Sequence, residues 1–449
     1  MSTRKHYDSR IKAQVALEAL KNQLTINYTR RKFMSKSLRD VVTILQKKNI
    51  NTTLLGIGPM SEIVIKATLE LAKDMEFPIM FIASRNQIDS IELGGGYVMG
   101  WDQMAFSNAI YNIADEVGFD GLLYICRDHG GPWQRDNEKN DKISPKSAME
   151  KAKASYLDDL KAGFNLLHID PTKDPHIQGS VPMETVIERT IELIGYLEEQ
   201  IQMLNLSPIS YEVGTEETAG GLISDNAFET FMEKLLKGLD YHSLPHPAFI
   251  VGQTGTLVKM SKNVGKFDPE TAHNLSMIAR KYGLGFKEHN ADYLSKDDLR
   301  IHPELGITSA NVAPEFGLEE TVALLSLADK EEEKLKSNPD RKSSEFKSVI
   351  QQSALDCGRW KKWLFKEDAH LTEKDIINMP EKLAEVTIVC GHYVFDKPDV
   401  QSARKRLYDN VMSLNITDSP ERILIDAVKK SIMKYVDAFN LKGVNTHII

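Results

Sequence analysis

Apolar residues gather in eight short runs, each closing on polar positions: residues 53–59, 78–84, 122–128, 166–171, 209–216, 248–255, 285–290 and 307–314. Stretches with apolar positions at helical spacing separate most of them, such as 145–163, 182–204 and 269–282. The run at 78–84, Pro-Ile-Met-Phe-Ile-Ala-Ser, has no polar alternation, which suits a parallel strand covered on both faces. Strand then helix, repeated eight times, predicts an α/β chain of the (β/α)8 TIM-barrel class. A helix over 38–48 precedes the first strand. The seventh helix has little room and is expected to be short. The eighth, 318–336, ends in a charge-rich stretch that reads as a solvated face.

With 449 residues the chain exceeds a barrel of roughly 250. The barrel is assigned residues 34–337. Asn338-Pro339-Asp340 marks a boundary, and 338–449 reads as a mainly helical C-terminal extension with an apolar break at 384–390. Within it Trp360 and Trp363, three apart, read as a packing stripe. Residues 1–33 stand apart. They are basic and amphipathic, and they resemble the opening helix of insertion-element transposases. A segment this short is a poor candidate for an independent DNA reader. It is expected to be a leader outside the fold, with Met34 as a plausible start.

A net charge of −8 argues against general binding to nucleic acid or to an anionic membrane. It leaves room for a local basic pocket that takes a phosphorylated substrate. Three cysteines, Cys126, Cys357 and Cys390, are too few and too scattered for a disulfide framework or a zinc knuckle. No apolar run approaches the ~18 residues of a membrane span, and the N-terminus lacks an apolar signal core. A cytoplasmic location is expected.

In this barrel class the chemistry sits at the C-terminal ends of the strands. The third run ends in Asp128-His129, followed by two glycines and Pro132. Asp128 is a candidate acid or base, and His129 a candidate metal ligand. His168 and Asp170 share a face of the fourth run. Asp170, at its end, is the candidate catalytic group, whereas His168 reads as a core histidine. Glu212 lies inside the fifth run, where a carboxylate is costly unless it meets a cation or a donor. Glu216 follows it as a second acid or base. His289, ending the seventh run, completes a mixed nitrogen and oxygen set with His129 and Glu212 for a divalent cation such as zinc. Asn86, Gln87, Gln253, Thr254, Asn290 and Asn311 close other runs with groups suited to substrate hydroxyls and oxygens. The chain has no Walker, Rossmann or nucleophile-elbow motif.

The succession ASRNQ, a glycine-tyrosine loop, RDHGGP, HID, YEVGTE, a Gly-Thr loop, EHNADY and WKKW resembles the GatZ/KbaZ-type tagatose-bisphosphate aldolase subunits, from about Met34 into the C-terminal region. The resemblance implies a barrel related to class II aldolases. It also implies ketose-phosphate metabolism: metal-dependent retro-aldol chemistry giving C4 epimerisation or aldol cleavage of a ketohexose phosphate. The alternative it implies is a non-catalytic subunit that stabilises a separate class II aldolase chain. Asp128-His129 is similar to the Asp-His motif of the catalytic aldolases, and Glu212 to the glutamate in their strand of pattern Glu-(Leu/Ile)-Gly. His289 corresponds to one later zinc histidine. Gln253 lies nearest the position of the other, and the family's phosphate loop of glycines and serine has no counterpart. A sugar phosphate is the expected small-molecule partner, and an oligomer is expected from the helix-rich extension.

Overall fold

In the computed structural model the described residues are 36–214 and 224–448. The expected leader at 1–33, Met34 and Glu216 lie outside them. Eight parallel strands close a barrel: β1 (Leu54–Ile57), β2 (Ile79–Ser84), β3 (Leu123–Gly130), β4 (Leu166–Ile169), β5 (Ser210–Gly214), β6 (Phe249–Val251), β7 (Gly285–Glu288) and β8 (Ile307–Val312). Each strand pairs with the next in sequence, and β1 closes onto β8. A short hairpin, Val258–Lys259 with Lys262–Asn263, rises between β6 and β7.

Helices begin and end where local chemistry dictates. Ser37 caps Leu38–Lys47 in a reciprocal pair with Asp40. Pro145 and Pro269 stand in the first turns of Pro145–Lys161 and Pro269–Lys281, where the missing N–H costs nothing. The seventh barrel helix, Lys296–Leu305, is short as expected and carries Pro303 in its last turn. Helix Leu38–Lys47 plugs the N-terminal end of the barrel. Its Leu38, Val41, Val42 and Leu45 pack with Leu54, Met80, Tyr124, Cys126 and Phe249, all buried. A second, larger apolar layer fills the space between strands and outer helices.

The chain beyond the barrel is helical. The expected break at 384–390 lies within one helix, Pro380–Cys390, because the apolar run packs inward without leaving the helical period. The long helix Pro420–Ala438 lies against Glu62–Met75 and Pro314–Leu335. The chain then returns to the barrel floor, where Phe439 O accepts from Thr53 N at 3.1 Å. The stretch Trp360–Trp363 reaches the β6–β7 hairpin, with Met260 N donating to Trp363 O at 3.2 Å. Among the described residues no helix is long and apolar enough to cross a membrane.

Candidate active site at the C-terminal mouth of the barrel

Strand β3 sets the site through a break in its own regularity. Arg127 pairs with Leu167, but Gly130 pairs with Ile169, so three steps on β3 face two on β4. His129 takes the left-handed conformation, with φ 42°. A bulge of this kind interrupts the strict alternation of side chains. Arg127 therefore points outward, while Asp128 and His129 both turn into the barrel mouth. The other strands contribute by ordinary alternation. His168 and Glu212 are register partners on β4 and β5. Lys287 faces them from β7, and Glu288 faces the opposite way, onto His302 at 2.7 Å.

The groups that meet there are densely connected. His129 Nδ1 lies 2.8 Å from Asp170 Oδ2. His289 Nε2 lies 2.9 Å from Glu212 Oε1. The inner nitrogens of the two rings, His129 Nε2 and His289 Nδ1, face one another at 3.2 Å. His168 Nδ1 accepts from the His129 backbone N–H at 3.2 Å. Lys287 donates to Glu212 Oε2 at 2.6 Å, with both side chains buried. Asn311 Nδ2 donates to Asp128 Oδ1 at 3.1 Å, while Asn311 Oδ1 is buried with no hydrogen-bond partner among the described residues. Gly56 makes room for this amide, since a Cβ there would collide with Asn311 Oδ1.

These contacts fix the charges. Burial pushes the Glu212 carboxyl up, but Lys287, His168 and His289 outweigh it and hold the group well below its ordinary value. Asp170 follows the same pattern, with the His129 hydrogen bond opposing burial. Asp128 is likewise lowered by His129, His289 and His168 against burial. Burial pushes the His168 imidazole down to about 4, so it stays neutral near pH 7. His129 is raised, because Asp128 and the Asp170 hydrogen bond overcome burial. The ligand-type atoms of His129, His168 and His289 lie within 4.8 Å of one another, as do those of Asp128, His168, Glu212 and His289. Imidazoles backed by carboxylates are a donor set that fits a divalent transition metal.

The mouth thus gathers Asp128, His129, Asp170, Glu212, His289 and Asn311. It adds His168 and Lys287, which the sequence reading did not assign to the site. For Lys287 the signal is a lysine inside a buried strand, two positions before His289 and so on its face. The remaining amides and hydroxyls hold loops. Asn86 donates to Gln134 O and accepts from Asp136 N, at 3.1 Å each. Gln87 Oε1 accepts from Ser84 N at 2.7 Å, and Gln253 Oε1 from Gly255 N at 3.1 Å. Thr254 donates to Glu288 at 2.8 Å, on the outer side of β7. Asn290, with φ 61°, offers its carbonyl to Asn263 Nδ2 at 3.0 Å.

A family model described as D-tagatose-1,6-bisphosphate aldolase subunit GatZ/KbaZ-like matches residues 38–435. The fold recurs in a probable tagatose 6 phosphate kinase from Sinorhizobium meliloti 1021, at 19% identity and TM-score 0.67, over 86% of this chain and 100% of that one. It recurs in the fructuronate-tagaturonate epimerase UxaE from Cohnella laeviribosi, at 11% identity and TM-score 0.56, over 87% of this chain and 81% of that one. At these identities the likeness is one of fold. No curated protein matches the chain in sequence.

Proposed function

This chain belongs to the D-tagatose-1,6-bisphosphate aldolase subunit GatZ/KbaZ-like family, and from that premise we propose that it is a metal-dependent catalyst of retro-aldol chemistry on a ketohexose phosphate. The products are the C4 epimer or the two aldol fragments. The observation that carries this reading is the pair of ring nitrogens facing at 3.2 Å. When each ring gives its outer N–H to a carboxylate, both inner nitrogens present lone pairs. Two lone pairs at that separation repel unless a proton or a metal cation lies between them. A carboxylate behind each histidine is the usual way a protein orients metal-binding imidazoles.

His129 and His289 would hold the cation, zinc being the best match to the donors. When bound, it supplies Lewis-acid polarisation of the substrate carbonyl. Asp128, kept ionised and steadied by Asn311, takes the proton from the C4 hydroxyl as the C3–C4 bond breaks. The electron pair of that bond passes into the C2 carbonyl. Return of the pair to the opposite face of the new aldehyde, with the proton going back from Asp128 to the C4 oxygen, inverts C4; departure of the aldehyde, with that proton delivered instead to C3 of the enediolate, completes cleavage. Asp170 and Glu212 hold the two imidazoles, and Lys287 keeps Glu212 charged. Glu216 is the further candidate for proton transfer.

The test is metal analysis of the purified chain, followed by incubation with tagatose 6-phosphate and tagatose 1,6-bisphosphate. One divalent metal per chain and turnover without a second protein are expected. His129→Ala is expected to remove both together; metal and turnover that survive this substitution reject the assigned role. The word "subunit" in the family description favours a second reading, in which the chain stabilises a separate class II aldolase. Turnover that appears only with such a chain added, from a preparation that binds no metal, selects that reading.

A further inference from the structure

The mouth carries a second cluster, built of cations. Lys173 lies three residues beyond Asp170 and is half-buried. It donates to Gln134 Oε1 at 2.7 Å, and Gln134 Nε2 donates to the carbonyl of Asp170 at 2.8 Å. The ammonium is thus wired to the backbone of the residue that holds His129. Among the described residues Lys173 forms no ion pair, and its hydrogen bond goes to a neutral amide. A shielded cation with such a partner is costly unless an anion completes its surroundings. Burial lowers its hold on its proton; Asp170 opposes this, and Lys362 and Lys139 lower it further.

Nearby, the Arg359 guanidinium sits against the rings of Tyr97 and Tyr393, at 4.4 and 5.1 Å from their centres. Its edge comes 3.7 Å from Asp136, and Lys362 comes 3.6 Å from the same carboxylate. Both separations are longer than a hydrogen bond. A single carboxylate is therefore loosely shared by Arg359 and Lys362, with Lys173 and Lys139 close by. This local excess of positive charge occurs in a chain of net charge −8.

We propose that Lys173, Arg359 and Lys362 form a phosphate subsite at the edge of the barrel mouth, with the C-terminal extension supplying two of its three cations. A phosphate dianion matches this set, because its several oxygens accept from ammonium groups and from the planar guanidinium edge together. The subsite rests on the ketose-phosphate reading, and it gives the extension a direct part in substrate choice. It also explains how a barrel without the glycine-serine phosphate loop would select a phosphorylated sugar.

The test is calorimetric titration of the full-length, metal-loaded chain with tagatose 6-phosphate, tagatose and inorganic phosphate. Lys173→Met is expected to weaken tagatose 6-phosphate and inorganic phosphate by about 10-fold or more, the scale of one lost charged hydrogen bond. Metal content and the affinity for unphosphorylated tagatose are expected to hold. Lys362→Glu, at an exposed position, reverses a charge without disturbing the interior and is expected to weaken both phosphates further. Unchanged phosphate affinity in the two variants overturns the subsite and leaves the metal centre standing. Phosphate binding that depends on these lysines in a chain with no metal upholds the subsite and removes the metal reading.

Discussion

Arg127 and Asp128 are neighbours on β3, yet they enter two different clusters of buried charge. Arg127 points outward and is bonded at every nitrogen. It makes two bonds to Asp159, at 2.8 and 2.5 Å, and two to the carbonyls of Ala83 and Ile88. Around it Arg85 clamps Glu138 at 2.8 and 3.0 Å and meets Asp89 at 3.1 Å. Asp89 also accepts from Ser155 and Arg135. Charges alternate in sign and nearly every donor has an acceptor, so the network is closed. Asp128 points inward to a cluster of another kind. There, ring nitrogens face each other, an amide oxygen is left over, and carboxylates are held ionised by histidines rather than by arginines. A closed network holds loops in place. An open one, with converging donors of one type, calls for a ligand.

Breaking the closed network is expected to have the largest effect. Arg127→Met leaves Asp159 buried without its partner, a loss on the scale of about 3–5 kcal/mol. That is a large share of the roughly 5–15 kcal/mol that holds a domain together. Urea unfolding is the measurement, and a variant within about 1 kcal/mol of the parent chain would show that the network contributes little. The substitution one residue on sharpens the contrast. Asp128→Asn keeps the shape and the Asn311 contact but removes the base, so turnover is expected to fall by roughly 10²-fold or more. Its unfolding midpoint should shift far less than that of Arg127→Met. Equal turnover in Asp128→Asn and the parent chain would move the proton transfer to another group.

The sequence carried the barrel because its eight apolar runs end on polar residues, and strand alternation then places Glu212, His289 and Asn311 on inward faces. It carried less of the site's wiring. The bulge at Asp128-His129 depends on a register shift between two strands, which no local pattern encodes. His168 reads as a core histidine and Lys287 carries no assignment from the sequence, because their meeting with Glu212 is a product of barrel closure. Asn86, Gln87 and Gln253 have the right chemistry for sugar hydroxyls, but Asn86 and Gln87 spend both ends of their amides, and Gln253 its oxygen, on neighbouring groups. An amide in a tight loop is as useful to the loop as to a ligand, and sequence does not separate the two uses.

His392 probes the distinction from the other side. It is buried against Tyr97 and Tyr393 and under the backbone of Gly317, and among the described residues neither ring nitrogen has a hydrogen-bond partner. Its nitrogens are unsatisfied as Asn311 Oδ1 is in the site, yet His392 belongs to no group of three or more ligand-type side chains among the described residues. Burial, helped by nearby Arg359, pushes its pKa down to about 3. The unfolded chain takes up a proton on this residue near its ordinary pKa of about 6.5, and the folded chain resists until far lower. Its contribution to stability is therefore complete above about pH 6.5 and declines as pH falls from there toward 3. Between pH 6.5 and 5 the loss is about 2 kcal/mol. His392→Met fills a similar volume with no proton to bind, so its stability should fall about that much less over the same interval. Unfolding curves of the two chains at pH 7 and pH 5 decide the point. Parallel loss in both would mean that His392 is not linked to the acid response, and that the burden falls on His168 and the site.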